Sequence, residues 1–537
     1  MNGRRPMARP LADDSALRRA LEESLGRENV FADERTRHSY ATDASPCVVE
    51  PRAVVAVRSE EEVLRTLAIC RNQRVPLTPR ASGTSLSGAA VGPGVILDTT
   101  GFRRVLGFSA AGGWVRVEPG ILLSELNAFL REKGVRFAPD PGSQDLCRIG
   151  GMIGHNASGY RTVKYGQTRD HVLSLRVALA DGAVLDAQDV AIGGPEWKDL
   201  IDRVPAIETV RKTIETHRRE ILAARRPIRK HACGYDVFTI VESLERGVFP
   251  LASLFVGSEG TLGVVTQATL RVLPIPRRRL TLLAYLERFE DLGAFVGDIG
   301  PLGPSAMEAV DGDSLRLLPR DALGVPESAG AMLLVEFDEG DLDGIAKTLV
   351  ERIAPRFRLS CGIEVADDPE RQAILWKVRR SLLPTISQRP GPRKAWGFVE
   401  DPIVPRDRVP EFIAFLVDLA RRNETVAGIY GHIGDGNTHF RPLFDPTDPV
   451  DFERMRALRA EFDDAVLERF HGAPSAEHGI GRIRAETLPR VWGPAVYDVM
   501  RRIKGALDPD GLLNPGVLLS DEPWWATWGG LEARSPM

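Results

Sequence analysis

Along the first half of the chain, short apolar runs alternate with stretches whose apolar residues recur at the helical period. Ala53–Val57, Val95–Asp98, Trp114–Glu118, Val172–Ala180 and Leu251–Val256 predict strands. Ser15 opens a predicted helix through Leu17, Ala20, Leu21 and Leu25, closed by Gly26. A second predicted helix begins at Ser59, whose hydroxyl and the three glutamates behind it suit a free helix N-terminus, and ends near Asn72. Leu122–Lys133 predicts a third, stopped at Gly134. After Leu273-Pro274-Ile275-Pro276 the rhythm changes to longer strands, Leu280–Leu286 and Ala331–Phe337, separated by amphipathic helices. In the segment from Glu453 to Phe470, Met455, Leu458, Phe462 and Val466 fall at helical spacing, a stripe that predicts core. There is no internal repeat.

Composition narrows the function classes. The chain has 537 residues, 43% hydrophobic and 27% charged, which is ordinary for a globular protein of about two to four domains. Lys and Arg number 70 against 74 Asp and Glu, so no nucleic-acid footprint is visible. The run Arg277-Arg278-Arg279 reads as a solvated linker. Five scattered cysteines without a C-x-x-C argue against a disulfide framework, fit a reducing cytosol and exclude a resident iron–sulfur cluster of the thiolate-ladder type. Met1–Asp14 lacks the apolar core of a signal peptide, and no window approaches about eighteen apolar residues. The expectation is a cytoplasmic protein that does not span a membrane.

Candidate chemistry begins at Arg80-Ala81-Ser82-Gly83-Thr84-Ser85-Leu86-Ser87-Gly88. Small residues, hydroxyls and two glycines let successive backbone amides face one concavity, a nest suited to phosphate oxygens. A flexible surface turn is the other reading. A second small-residue stretch, Gly150-Gly151-Met152-Ile153-Gly154-His155-Asn156-Ala157-Ser158-Gly159, predicts an opposing wall for a dinucleotide. A third, Gly257–Gly263, reads alone as the turn of a strand–turn–strand hairpin. No G-x-G-x-x-G follows a strand and no P-loop is present, so nicotinamide-binding Rossmann and NTPase readings lack support.

The second half carries Tyr430-Gly431-His432-Ile433-Gly434-Asp435-Gly436-Asn437-Thr438-His439, followed later by Ala476-Glu477-His478-Gly479. Two glycines disfavour a helix, whereas a strand–turn–strand would bring both imidazoles together. His432, His439 and Glu477 then form a two-histidine, one-carboxylate set suited to a divalent ion, zinc or manganese ahead of iron. An EF-hand is excluded because further oxygen ligands are missing.

These segments, with Pro139-Asp140-Pro141-Gly142-Ser143, Lys164-Tyr165-Gly166 and Gly257-Ser258-Glu259-Gly260-Thr261-Leu262-Gly263, occur in the order found in the vanillyl-alcohol-oxidase/p-cresol-methylhydroxylase flavoproteins. The chain most resembles the branch containing D-lactate dehydrogenase, the glycolate oxidase flavin subunit and D-2-hydroxyglutarate dehydrogenase. That resemblance, over roughly residues 40 to 518, implies an α+β fold: a helical lead-in at 1–45, a two-subdomain PCMH-type FAD-binding domain at 46–275, an antiparallel-sheet substrate cap at 276–450, and a helical segment at 451–537 that returns to the flavin. It implies FAD contacts from Arg80, Ala81, Ser82, Gly83, Thr84, Ser85, Gly88, Pro141, Gly142, Ser143, Gly150, Gly154, Asn156, Ala157, Ser158, Gly159, Glu259, Gly263, Val264 and Asn514. No histidine lies between residues 79 and 94, so non-covalent flavin is expected.

By the same resemblance His478 is the general base, Asn437 orients substrate and Arg379 grips its carboxylate. The implied reaction is oxidation of a (D)-2-hydroxy acid by hydride transfer to flavin N5. Electrons would leave to a separate acceptor: an iron–sulfur subunit, an electron-transferring flavoprotein or a quinone-linked carrier. A homodimer is a candidate assembly. The alternatives are a flavin-dependent non-redox transferase of the alkylglycerone-phosphate-synthase type, and a metal-binding assembly subunit without turnover. The sequence departs from the branch at Leu383 and Val399, where a Thr and a Lys are usual, at His155, and at Val517. The first two departures put recognition of a second carboxylate in doubt, with Arg393 and Lys394 nearby in sequence. The tail Glu522–Trp528 has three tryptophans, read either as a docking patch or as side chains packed onto their own domain.

Overall fold

The computed structural model describes residues 14–529; the signal-peptide reading of the first residues therefore lies almost wholly outside the described residues. Helix Asp14–Leu25 buries Leu17, Leu21 and Leu25, three positions of one helical face. It packs against helix Glu60–Gln73, where the Ser59 hydroxyl accepts from the Glu62 amide as an N-cap. Three parallel strands follow from this strand–helix alternation: Val95–Asp98 lies between Ala53–Ala56 and Leu77–Arg80. The C-terminal end of Leu77–Arg80 delivers the Gly/Ser loop.

A five-stranded antiparallel sheet comes next, in the order Val105–Ser109, Trp114–Val117, Val264–Arg271, Val172–Ala178, Val184–Ala187. Two expectations are corrected here. Leu251–Phe255 is helical, not a strand, because an apolar run without alternation does not distinguish a buried strand from a buried helix. The Gly257–Gly263 segment therefore joins a helix to a strand rather than closing a hairpin. Its positive φ values at Gly257, Glu259 and Gly260 make a tight reversal.

The second half is built on a seven-stranded antiparallel sheet. Its order is Glu364–Ala366, Leu280–Leu286, Ala331–Phe337, Ala306–Asp311, Ala427–Gly431, His439–Phe444, Lys394–Ala395. Both faces are covered, so Leu280–Leu286 and Ala331–Phe337 are buried at every position instead of alternately. Side chains still alternate. Leu280, Leu282 and Ala284 pack with Phe295 and Phe412 from helices Leu292–Ile299 and Val409–Arg422, while Leu283, Met332 and Leu334 pack under helix Pro369–Ser387. That second face carries the functional polar groups. Glu308 shares it with Ala306 and Val310, and Tyr430 and His439, as cross-strand partners, point the same way.

The tail tryptophans pack inward. Trp524 stacks on Phe398 at 5.3 Å between ring centroids, and Trp528 meets Trp396 edge-on at 5.6 Å. Trp524 and Trp528 are buried. Arg278 pairs with Asp343 and Asp367 at the surface, but Arg279 turns inward with Nε 3.8 Å from Glu336, so the basic run is solvated only in part.

Candidate active site

One cavity of about 540 Å³ joins the two halves. Its wall includes Arg80, Ala81, Ser82, Gly83, Thr84, Ser85, Pro141, Gly142, Ser143, Gly150, Gly154, Ala157, Ser158, Glu259, Gly263 and Val264, together with Arg379, His432, His439, Glu477 and His478. Among the described residues no protein acceptor takes the amides of Ser82 through Leu86. Five consecutive unpaired N–H groups on a cavity wall form an anion nest, which fits the diphosphate of a dinucleotide.

The stretch 150–159 is mostly helix, Ile149–His155, rather than loop. Its small residues serve close approach: a Cβ on Gly150 would lie 2.7 Å from Pro119 Cβ. Four of the residues expected at the flavin lie behind the wall. Asn156, at φ 52°, caps that helix and accepts from the Arg169 amide. Gly88 sits where a Cβ would strike Cys47, and Gly159 where one would strike the Asp140 carbonyl. Asn514 receives a hydrogen bond from the Thr78 hydroxyl and donates to the carbonyls of Ala89 and Glu259.

Glu259 accepts from the amides of Ile480 and Gly481 at 2.8 and 2.9 Å. Burial pushes its carboxyl up to about 8 despite those two bonds. His155 also lines the cavity; its Nδ1 has no partner among the described residues and burial pulls the imidazole down to about 4.

The Gly-Asp-Gly turn between Ala427–Gly431 and His439–Phe444 brings the two histidines within 5.2 Å of each other, ring to ring. Three imidazole Nε2 atoms converge on Glu477 Oε1: His432 at 3.3 Å, His439 at 3.5 Å and His478 at 3.4 Å. Each Nδ1 is engaged elsewhere, by Glu308 at 2.5 Å, the Glu400 carbonyl at 3.3 Å and the Glu400 carboxylate at 2.6 Å respectively. Donation from Nδ1 leaves Nε2 as the nitrogen turned to Glu477, the one a divalent ion would take in place of a proton, as in metal-ligating histidines. Tetrahedral ligands about 2.0–2.1 Å from one ion stand roughly 3.3–3.4 Å apart, so the spacing and the donor set fit a divalent cation.

His478 differs from the other two in exposure: its side chain is 22% exposed, against 6% for His432 and 7% for His439. Burial lowers the basicity of His432 and His478, but Glu308 with Glu477, and Glu400 with Asp401, outweigh it and lift each to about 9. Burial dominates at His439, which is held well below its ordinary value.

Sequence reasoning did not single out Glu308, Glu400, Asp401 or Lys230. Asp401 Oδ2 accepts from the Ser475 hydroxyl and from the successive amides of Ala476, Glu477 and His478, so one carboxylate shapes the loop carrying two site residues. Asp401, His439, Glu477 and His478 place four possible ligand atoms within 4.8 Å of one another, a group that does not include the expected His432; the bonds of Asp401 commit it to the loop. Glu477 Oε2 accepts from the Ser158 hydroxyl at 2.9 Å, with Lys230 Nζ 3.5 Å away. The available signal was acidic residues inside otherwise apolar segments, as at Glu308 within Ala306–Asp311.

Arg379 projects from helix Pro369–Ser387 onto the same face. Its Nε donates to Glu308 Oε2 at 2.8 Å, and its guanidinium lies over Tyr430 and Tyr160. Its terminal amino groups form no other hydrogen bond among the described residues, and the residue lines the cavity. Glu308 thus ties Arg379 to His432. Asn437 is fully buried outside the cavity wall; its Nδ2 donates to Asp401 and the Pro402 carbonyl, and its Oδ1 has no partner among the described residues.

Comparison with known proteins agrees with this geometry. Residues 51–188 match the FAD binding domain family, and residues 275–518 match the family of FAD linked oxidases, C-terminal domain. Glycolate oxidase subunit GlcD of Bacillus subtilis is 30% identical over 518 residues, 94% of this chain and 97% of that protein. D-2-hydroxyglutarate dehydrogenase of Pseudomonas putida is 30% identical over 95% of this chain, which spans 52% of that protein's length. D-lactate dehydrogenase of Anaerostipes hadrus is 29% identical over 87% of this chain and 89% of that protein. Among solved structures, 4-ethylphenol oxidase from Gulosibacter chungangensis shares the fold with a TM-score of 0.67 at 18% identity, covering 94% of this chain and 97% of that one. Alkyldihydroxyacetonephosphate synthase does so with a TM-score of 0.63 at 16% identity, covering 94% and 85%.

Proposed function

The chain belongs to the FAD-linked oxidases, in their 2-hydroxyacid branch, and from that premise we propose that it oxidises a D-2-hydroxy acid to the 2-oxo acid with FAD and one divalent ion. The observation that carries this reading is the convergence of three imidazoles on Glu477 in the same cavity as Arg379 and the amide nest. When bound, FAD supplies the hydride acceptor at N5, and an ion held by His432, His439 and Glu477 supplies positive charge beside the reacting hydroxyl.

The chain's own residues do the rest. The terminal amino groups of Arg379 form a fork for the C1 carboxylate, held in place by Glu308 and two aromatic faces. His478, the exposed member of the trio, takes the hydroxyl proton at Nε2 as hydride leaves C2, and the Glu400 carboxylate stabilises the resulting imidazolium. The C2 substituent would extend towards Arg380, Leu383 and Pro384, which continue the cavity wall. Arg380 lies over Trp376 and Tyr160 with no carboxylate partner among the described residues. Leu383 closes off the Thr-type contact of relatives, so Arg380 is the group available to a second carboxylate.

Anaerobic mixing of the flavin-loaded protein with D- and L-2-hydroxy acids tests the reading by bleaching of the flavin absorbance. Bleaching by one enantiomer supports it. Flavin that stays oxidised with every acid would favour the non-redox transferase alternative.

A further inference from the structure

A second cavity, of about 380 Å³, lies on the far side of Lys230 from the candidate active site. It is built largely from the segment 225–239, which falls between the two family matches at 51–188 and 275–518. Six basic side chains line it against three acidic ones. Four of the six have carboxylate partners: Lys164, Arg169, Arg225 and Lys230. Arg226 and Arg229 make no ion pair within 4 Å among the described residues; Glu468 and Asp435 act on them only at longer range.

Arg226 spends three donors on the carbonyls of Leu467, Arg490 and Val491, and burial lowers its basicity. Arg229, which is exposed, has one long bond of 3.4 Å to the Val163 carbonyl. Arg169 Nε is buried and has no acceptor among the described residues. A guanidinium offers five N–H donors in a planar fork, so Arg169, already paired with Asp236, and the unpaired Arg226 and Arg229 leave unused donors and an excess of positive charge around one polar cavity. The cavity is walled on its aromatic side by Trp492 and Phe238, and on the active-site side by Asp435 and Lys230.

We propose that this cavity is a binding site for a phosphate-type oxyanion, held by Arg226, Arg229 and Arg169 through charge-assisted hydrogen bonds. Lys230 Nζ stands 3.7 Å from Asp435 Oδ2 and 3.5 Å from Glu477 Oε2, so the anion would sit one side chain away from the imidazole cluster. Its chemistry is shared by free phosphate and by the phosphoryl group of a larger metabolite.

The test uses flavin-saturated, metal-loaded protein, so that the amide nest is occupied. Thermal unfolding is followed against inorganic phosphate, against glycerol phosphate and against chloride at matched ionic strength. The expected result is a saturable rise in Tm with phosphate and not with chloride, because a ligand that binds only the folded state stabilises it by mass action. A larger rise with glycerol phosphate assigns the site to an esterified phosphoryl group, and an equal or smaller rise assigns it to free phosphate. Arg229→Gln should weaken phosphate at least tenfold while leaving the ligand-free Tm near that of the parent, since Arg229 is exposed and makes a single bond. Arg226→Gln provides a second reading from inside the cavity. Chloride matching phosphate, or a phosphate response unchanged in both variants, would overturn the proposal.

Discussion

His478 donates from Nδ1 to Glu400 Oε1 across 2.6 Å, and Glu400 is itself fully buried against Arg441 and Arg484. The imidazole proposed as the base is therefore anchored from behind by a carboxylate kept ionised. Burial alone would raise the Glu400 carboxyl, but Arg441, His478 and Arg484 outweigh it and hold it far below its ordinary range.

This anchor sets a pH dependence. A base must be unprotonated to work, and Glu400 favours the protonated form of His478. Glu400→Gln removes that bias, so the rising limb of flavin reduction against pH should move to lower pH. Stopped-flow reduction across pH 6 to 10 reads it; a limb that stays in place assigns the ionisation to another group. His478→Asn should slow reduction by roughly a hundredfold or more, the usual scale for a lost general base.

The metal set makes a separate prediction. Protein carrying His439→Ala should lose bound divalent ion to near zero by elemental analysis, while its flavin spectrum persists, because the amide nest lies on a different wall of the cavity. Chelation of the parent protein should abolish substrate bleaching and spare the flavin. Unaltered ion content in the variant would remove His439 from the ligand set.

Flavin should leave intact on acid precipitation, since the first loop has no histidine to tether it. Gly150→Ala should lower flavin content several-fold. Its methyl would meet Pro119 Cβ at 2.7 Å and push helix Ile149–His155 off its seat. Yellow colour retained in the precipitate would identify a covalent link.

Arg380→Gln should raise KM for a hydroxy dicarboxylate about tenfold or more and leave D-lactate within two-fold, as expected for a lost charge-assisted bond worth about 1.5–3 kcal/mol. Equal losses for both acids would mean that Arg380 only steers anions toward the cavity mouth.

Turnover should be fast with an artificial dye and slow with oxygen alone, if electrons pass to a separate partner. The five cysteines are free thiols, Cys47, Cys70, Cys147 and Cys233 buried and Cys361 exposed. Equal rates with oxygen, with stoichiometric peroxide, would mark a self-sufficient oxidase.

Much of this architecture was legible where local chemistry decides the outcome. Ser59, the strands at 280–286 and 331–337, and the reversal at Gly434–Gly436 follow from capping, apolar runs and glycine. The strand expected at Leu251–Val256 failed because burial on all sides erases periodicity. The roles of Glu308, Glu400 and Asp401 were not legible for a related reason. Their roles come from partners far away in the chain, such as Arg379 and His432 for Glu308, 71 and 124 positions on. An acid within the apolar segment around Glu308 hints at burial, but nothing in that window says which group the carboxylate orients. Asn437 was singled out within its motif; its amide nitrogen is engaged by Asp401 and the Pro402 carbonyl, while its Oδ1 has no partner among the described residues.

The bond between Thr78 and Asn514 spans 436 positions, and the same asparagine holds the carbonyls of Ala89 and Glu259 beside the amide nest. A ribosome adding about 5–20 residues per second needs roughly 20 to 90 s to travel from the first of these residues to the last. Until then the nascent nest lacks its brace, and the apolar strands beneath it wait with an unfinished edge. Loading of the cofactor is accordingly a late event in the life of the polypeptide, and cells expressing shortened chains should accumulate colourless, chaperone-bound protein rather than a half-filled enzyme.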